Sequence, residues 1–437
     1  MRRRGSATRP NSTGPKDGFD GYAAAMATLA FTAPDLSSQP HPAPVGTRRR
    51  RLANRLLEQA WASGAASVPS LDPAHLVAAA TARVRSDALE DAGPWRTNLD
   101  VLAAALEAEA GLSALGRTIA HGQIVAALAD RARLSALWRR HPEIAEQPLA
   151  APIIVLGQMR SGTTRMQRLL ACDPRLAHTR LFESLNPVPT GAIDDRRLRA
   201  ILGLGLARLL NPSFAAIHPT GASAPDEEAG FHSISLYGAT FEAQWRVPAF
   251  ARHCEALEPS PVYAEFRRLM QTVAWLRGAP ARPWVLKLPQ MMQDLPAVLA
   301  TFPDARLVCL HRDATATVAS SASLVLNQMA LQCDAPDPHW IGREWLHKAV
   351  LRHGRAAAAR AAAAHVPQVE VHFSDMNRDW RGEMRRVYAM LGLPLTAAVE
   401  RRMAAYVARA ARAPLHHHRY SLDAFGLTEA GVNAAFA

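Results

Sequence analysis

The chain has 437 residues, of which 49% are hydrophobic and 20% charged, with a formal net charge of +12. That composition is globular, long enough for two or three packed units, and free of any fixed-period repeat that would mark a solenoid or propeller. The charge does not point to nucleic acid, because no basic run is interleaved with aromatics and no helix-turn-helix, zinc-finger or RNP signature occurs.

Lys16, Lys287 and Lys348 are the only lysines, so arginine supplies all but three of the 50 basic side chains. A phosphorylated or sulfated small ligand suits such a chain. Cys172, Cys254, Cys309 and Cys333 are widely spaced and form no CxxC pair, which fits a reducing, cytoplasmic setting. No apolar run approaches the length of a transmembrane helix. The opening Met1-Arg2-Arg3-Arg4 lacks the continuous hydrophobic region of a secretory signal.

Residues 1–50 are rich in Ser, Thr, Pro, Gly and Arg and are expected to be a disordered extension. Residues 51–150 are expected to be a helical region packed on the following domain. Asp72-Pro73 supplies a cap and a first-turn proline, Thr97 and Asp100 have the spacing of a capping box, and Leu99, Leu102 and Leu106 share a face, as do Ile124, Val125 and Leu128. From 151 to 437 the pattern changes to short apolar runs, 153–156, 284–288, 306–310 and 369–373, each leading into a helical segment. Strands of that kind are buried on both faces of a parallel sheet. The expected fold is an α/β, P-loop-like three-layer domain with a central parallel sheet, preceded by a helical N-terminal region, and ligands belong at the carboxyl ends of its strands. The apolar stretch 201–210 is too short to span a membrane; it is either packed core or the lining of an entrance for a lipid acceptor with peripheral membrane contact.

The run Gly157-Gln158-Met159-Arg160-Ser161-Gly162-Thr163-Thr164 joins the first strand to a helix expected at Thr163. Its backbone N–H groups and the helix N-terminus suit an anion. Gly157 and Gly162 have Walker A spacing, but Thr163 stands where the Walker lysine belongs, and Arg160 supplies a forked donor instead. A later strand ends in His311-Arg312-Asp313, and Ser320 follows eight residues after Arg312 on the next helix. Those two donors suit convergence on one phosphate.

A strand, Gly-x-x-Arg-Ser-Gly-Thr-Thr, then a strand ending Arg-Asp with a serine eight residues beyond the arginine, resembles the superfamily of sulfotransferases that use 3′-phosphoadenosine 5′-phosphosulfate (PAPS). Val285-Leu286-Lys287-Leu288-Pro289 and His418-Arg419-Tyr420-Ser421-Leu422 are similar to its bacterial, tyrosylprotein-sulfotransferase-like branch, and the resemblance runs from about Leu71 to the C-terminus. It implies that Arg160, Ser161, Gly162, Thr163 and Thr164 hold the 5′-phosphosulfate of the PAPS co-substrate, and that Arg312 and Ser320 hold its 3′-phosphate. It implies that Lys287 lies near the bridging oxygen and neutralises the leaving phosphate. Leu288 departs from the small polar residue more common there. Glu183, in Leu181-Phe182-Glu183-Ser184, stands where tyrosylprotein-type relatives carry a catalytic glutamate and is the expected base; His218, Glu227, Glu228 and His311 are rivals. No metal is expected, since His416, His417 and His418 have no carboxylate or cysteine at ligand spacing. Thr163 disfavours the alternative of a nucleotide kinase or NTPase, and the presence of Lys287 and Glu183 disfavours a degenerate nucleotide-binding protein. The resemblance implies a hydroxyl-bearing acceptor such as a lipid, quinone, carbohydrate or phenol; no residue pattern selects among them, nor indicates an oligomeric state.

Overall fold

The computed structural model describes residues 48–84, 89, 93–217, 219–412 and 420–437, without the side chains of 214–216. The extension expected over 1–50 lies outside these residues except for its last three. Those three arginines open the first helix, α1 (Arg48–Ala62), and Arg50 is buried, donating to the Cys333 carbonyl at 2.8 Å and pairing with Asp334 at 2.5 Å.

Three further helices follow: α2 (Pro73–Val84), α3 (Trp95–Ala108) and the 27-residue α4 (Ala114–Arg140). Asp72 starts α2 as expected, its Oδ1 accepting the His75 N–H at 3.0 Å with Pro73 in the first turn. The capping box expected at Thr97 does not form. Pro94 occupies the cap position, so Thr97 already lies inside α3. Leu99, Leu102 and Leu106 do share a buried face.

Five strands form the sheet: β1 (Ile153–Gly157), β2 (Ala177–His178), β3 (Trp284–Leu286), β4 (Arg306–His311) and β5 (Gln368–His372). Their order is β2-β3-β1-β4-β5 and every pairing is parallel. α5 (Thr163–Leu170) follows β1. Between β2 and β3 the chain makes a long helical excursion: α6 (Leu181–Leu185), α7 (Arg196–Leu210), α8 (Pro212–Ile217), α9 (Ala229–Ile234), α10 (Ala239–Glu242), α11 (Pro248–Ala256) and α12 (Ser260–Arg277). α13 (Leu295–Thr301) links β3 to β4, and α14 (Ala314–Gln332) with α15 (Pro338–Ala362) links β4 to β5. α16 (Phe373–Arg378), α17 (Trp380–Met390), α18 (Ala397–Ala411) and α19 (Glu429–Phe436) complete the chain.

Both faces of the sheet are covered, which is why its strands are apolar throughout. Ile154, Leu156, Leu286, Leu307 and Cys309 point to one side, into a core with Phe266, Leu269 and Val298 of α12 and α13. Ile153, Val155, Val285, Val308 and Leu310 point to the other, against Met166 and Leu169 of α5 and Val387 of α17. The N-terminal helices have no core of their own. Leu76, Leu102 and Leu128 pack together with Tyr237, Trp245 and Phe250 from the β2–β3 excursion, while the last turns of α4 send Leu134 and Trp138 into the sheet-facing core. No described helix is long and apolar enough to cross a membrane.

Candidate active site

The carboxyl ends of β1, β3 and β4 lie side by side, in register through Ile153–Val285 and Gly157–Leu310. Gly157, Lys287 and Arg312 leave the sheet there. The loop after β1 needs its glycines. A Cβ on Gly157 would stand 2.6 Å from Ser161 Oγ and 2.8 Å from Thr163 Cγ2. Gly162 caps α5 with φ +96°, and a Cβ there would meet the Phe373 ring at 2.9 Å. Arg160 also takes a positive φ, +71°, a conformation that costs a non-glycine residue energy and clusters at ligand sites. Ser161 closes the turn, its Oγ and N–H both donating to the Gln158 carbonyl, at 2.7 and 3.1 Å. The first-turn N–H groups at Thr163 and Thr164 have no intrahelical acceptor, which is the feature that suits a helix start to an anion.

Arg160, expected at the 5′-phosphosulfate, lies against Arg312 and Ser320, the pair expected at the 3′-phosphate. Arg160 Nε donates to Ser320 Oγ at 3.0 Å and its Nη1 to the Ile217 carbonyl at 3.2 Å. Arg312 Nη1 donates to the Arg160 carbonyl at 2.8 Å, with its guanidinium 4.3 Å above the Phe373 ring. Burial pulls the Arg160 pKa below the ordinary arginine value, and the like charge of Arg312 acts in the same direction. Two guanidinium groups so placed favour an anion between them. Phe373 escaped the sequence reading as more than a strand end; its signal is an aromatic ring immediately after an edge strand that neighbours the arginine-bearing one.

Lys287 follows β3 and is 2% exposed. Its Nζ donates to Glu227 Oε2 at 2.7 Å, and its backbone N–H to Glu228 Oε2 at 2.9 Å. The adjacent glutamates are differently placed. The Glu227 side chain is 29% exposed, whereas Glu228 is fully buried and burial pushes its carboxyl up to about 8. Glu228 therefore fixes the strand end and Glu227 faces outward beside the ammonium.

Glu183, the expected base, lies on α6. It is fully buried; its Oε1 accepts from Arg277 Nε at 2.8 Å, its Oε2 from Arg277 Nη2, and Oε2 also accepts the Arg180 N–H at 2.9 Å at the start of α6. Both oxygens thus carry hydrogen bonds that hold the segment after β2. His311 pairs in register with His372 of β5, rings 5.2 Å apart, and burial lowers its pKa. His218 and the His416–His418 tract lie outside the described residues. Among the described residues no group of three or more His, Cys, Asp or Glu side chains has the arrangement of a metal site.

Beneath these groups runs a buried polar layer that no sequence motif announces. Gln158 Nε2 donates to the Ala349 carbonyl at 2.6 Å, and Lys348, 2% exposed, pairs with Glu242 at 2.7 Å. Asp294, pushed up to about 7 by burial, accepts from Tyr237, Tyr263 and Gln290 at 3.1–3.2 Å.

A parallel sheet, a glycine-pinned anion loop after its central strand and a neighbouring arginine–serine pair define a nucleotide-binding transferase site. Residues 152–397 match the Sulfotransferase family, and the chain belongs to that family. Its structure is similar to that of sulfotransferase STF1 from Mycobacterium tuberculosis, with 28% identity, a TM-score of 0.71, and coverage of 83% of this chain and 97% of that one. It is also similar to sulfotransferase STF9 from Mycobacterium avium, with 25% identity, a TM-score of 0.73, and coverage of 83% and 94%. No curated protein matches the chain.

Proposed function

We propose that this protein transfers the sulfuryl group of PAPS to a hydroxyl-bearing acceptor and releases 3′-phosphoadenosine 5′-phosphate. The observation that carries this is the pairing of two anion-binding features at one sheet edge. The Gly157–Thr164 loop with the α5 N-terminus suits the 5′-phosphosulfate, and Arg312 with Ser320 and Arg160 suits the 3′-phosphate. An ordinary nucleoside triphosphate has no group for the second. PAPS supplies the activated sulfuryl group; the protein's residues bind it and direct the transfer.

Lys287, buried beside the loop, neutralises charge gathering on the phosphate oxygen as the bond from that oxygen to sulfur breaks. The acceptor oxygen forms the new bond to sulfur, and its proton passes to a carboxylate. We assign that role to Glu227, whose side chain is partly exposed and hydrogen-bonded to Lys287 Nζ. Glu183, the base expected from the family resemblance, becomes a positioning residue through Arg277. Most of the acceleration then comes from alignment and preorganised charge.

Calorimetric titration without magnesium tests the donor assignment. Binding of 3′-phosphoadenosine 5′-phosphate at least about tenfold tighter than ADP, from one charge-assisted contact set of ~1.4 kcal/mol or more, is expected. Equal affinity, or preference for ADP, overturns it.

A further inference from the structure

Helix α7 is amphipathic the wrong way round for a core element. Its inner side sends Ala200 against Phe182 and Ala222, but Leu198, Ile201, Leu202, Leu206 and Leu209 are turned to solvent, Leu202 with 64% of its surface exposed. Their spacing places all five on one side of the helix. The stripe continues onto α1, where Arg49 Nη1 donates to the Leu209 carbonyl at 3.2 Å and Leu52 and Leu56, on the same side as Arg49, are also exposed. An apolar surface of this extent marks a docking site.

The rim decides what docks. α1 and α7 together carry nine arginines and one acid, Glu58, which lies half a turn away from Arg49. Exposed Arg48, Arg49 and Arg55 border the stripe on α1, and Arg197 and Arg208 border it on α7, anchored to Ser223 Oγ and the Thr220 carbonyl. A second copy pressed on this face would set arginine against arginine. An anionic bilayer matches both parts, leucines entering the headgroup boundary and guanidinium groups meeting lipid phosphates.

We propose that the α7–α1 face seats this protein on anionic membrane surfaces and that its acceptor is a membrane-resident amphiphile bearing a hydroxyl headgroup. The second clause rests on the sulfotransferase reading. The route is short: α8 joins the leucine face to Ile217, whose carbonyl holds Arg160, and the 219–228 segment behind α7 carries Glu227. On this proposal the headgroup passes from α7 along the 219–228 segment toward Glu227 and Lys287.

The full chain is sedimented with vesicles of phosphatidylcholine alone and of equal phosphatidylcholine and phosphatidylglycerol, at low and high salt. Co-sedimentation is expected only with the anionic vesicles, weakened about tenfold by high salt and by the Leu202→Ser/Leu206→Ser double variant. That variant lies on an exposed face, so 3′-phosphoadenosine 5′-phosphate titration, run without vesicles, reads unchanged. Failure of the full chain to sediment, or equal sedimentation of the variant, overturns the proposal. So does protection of a Leu202→Cys thiol from alkylation in the vesicle-free chain, which assigns the face to a second copy or to residues 1–47. Vesicle binding is read without nucleotide, and nucleotide binding without vesicles, so loss of either reading leaves the other standing.

Discussion

The carboxylate of Glu183 meets Arg277 and that of Glu227 meets Lys287, and each pair is open to the same neutral substitution. Glu183→Gln leaves a largely buried guanidinium without its charged partner, a change that costs about 2–3 kcal/mol after allowance for the part of Arg277 that reaches water. Thermal unfolding shifts down, while kcat per folded molecule stays within about threefold. Glu227→Gln likewise leaves a buried cation, the Lys287 ammonium, without its charged partner, so unfolding shifts down there too; what separates the two is kcat per folded molecule, which falls by about 10²–10³ at 227. The opposite pattern, activity lost at 183 and kept at 227, returns the base to Glu183. Arg160, Arg312 and Ser320 were legible in the sequence because each sits at a strand end or first helical turns, where local spacing fixes direction. The Lys287–Glu227 contact was not. Sixty residues and the helices α9 to α12 separate the partners, and nothing local distinguishes Glu227 from the buried Glu228 beside it.

Among the elements, the β1–α5 loop has no room for an added methyl at either glycine. Gly162→Ala forces an alanine into φ +96° and pushes its Cβ against the ring that stacks under Arg312, so about 1–2 kcal/mol of stability and about tenfold in 3′-phosphoadenosine 5′-phosphate affinity are lost. Gly203→Ala, in open space on α7, is the matched control and leaves affinity unchanged. Wild-type affinity in Gly162→Ala would remove the loop from the binding site. The four longer strands were readable as apolar runs because both faces of the sheet are covered. β2 was not, since Ala177–His178 is two half-buried residues whose strand character comes only from pairing with Trp284 and Val285. Thr97 misled for a related reason: the capping spacing is local, but Pro94 had already started the helix. The 201–210 stretch left packed core and an acceptor entrance both open, and only the packed structure shows Leu202, Leu206 and Leu209 outside.

For the molecule as a whole, buried titratable groups set how stability follows pH. Burial raises Glu228 to about 8 and Asp294 to about 7, so each holds a proton in the folded chain that it loses on unfolding. Their contribution declines as pH climbs from about 5 to 8. Burial lowers His178 to about 4 and His232 to about 3, so these bind fewer protons when folded, and stability gains from them as pH rises to about 6.5. The two sets oppose one another below 6.5, and only the carboxyls act above it. The urea midpoint is expected to stay nearly level from pH 5 to 6.5 and then fall toward pH 8, with Glu228→Gln flattening the decline; a midpoint rising through that upper range contradicts the assignment. The α/β class was legible in the sequence; the shared core of the N-terminal helices was not, because residues 236–262 that complete it lie far along the chain. The same long-range wiring governs how the protein is made. The sheet's central strand and its anion loop leave the ribosome early, yet β1 finds its first ladder partner only when Val285 appears and its second only at Arg306. While residues 158–284 are being synthesised, the apolar residues of β1 have nothing to pair with, so the nascent chain presents a sticky, unpartnered segment over that interval and depends on the early helices, or on a chaperone, to shield it.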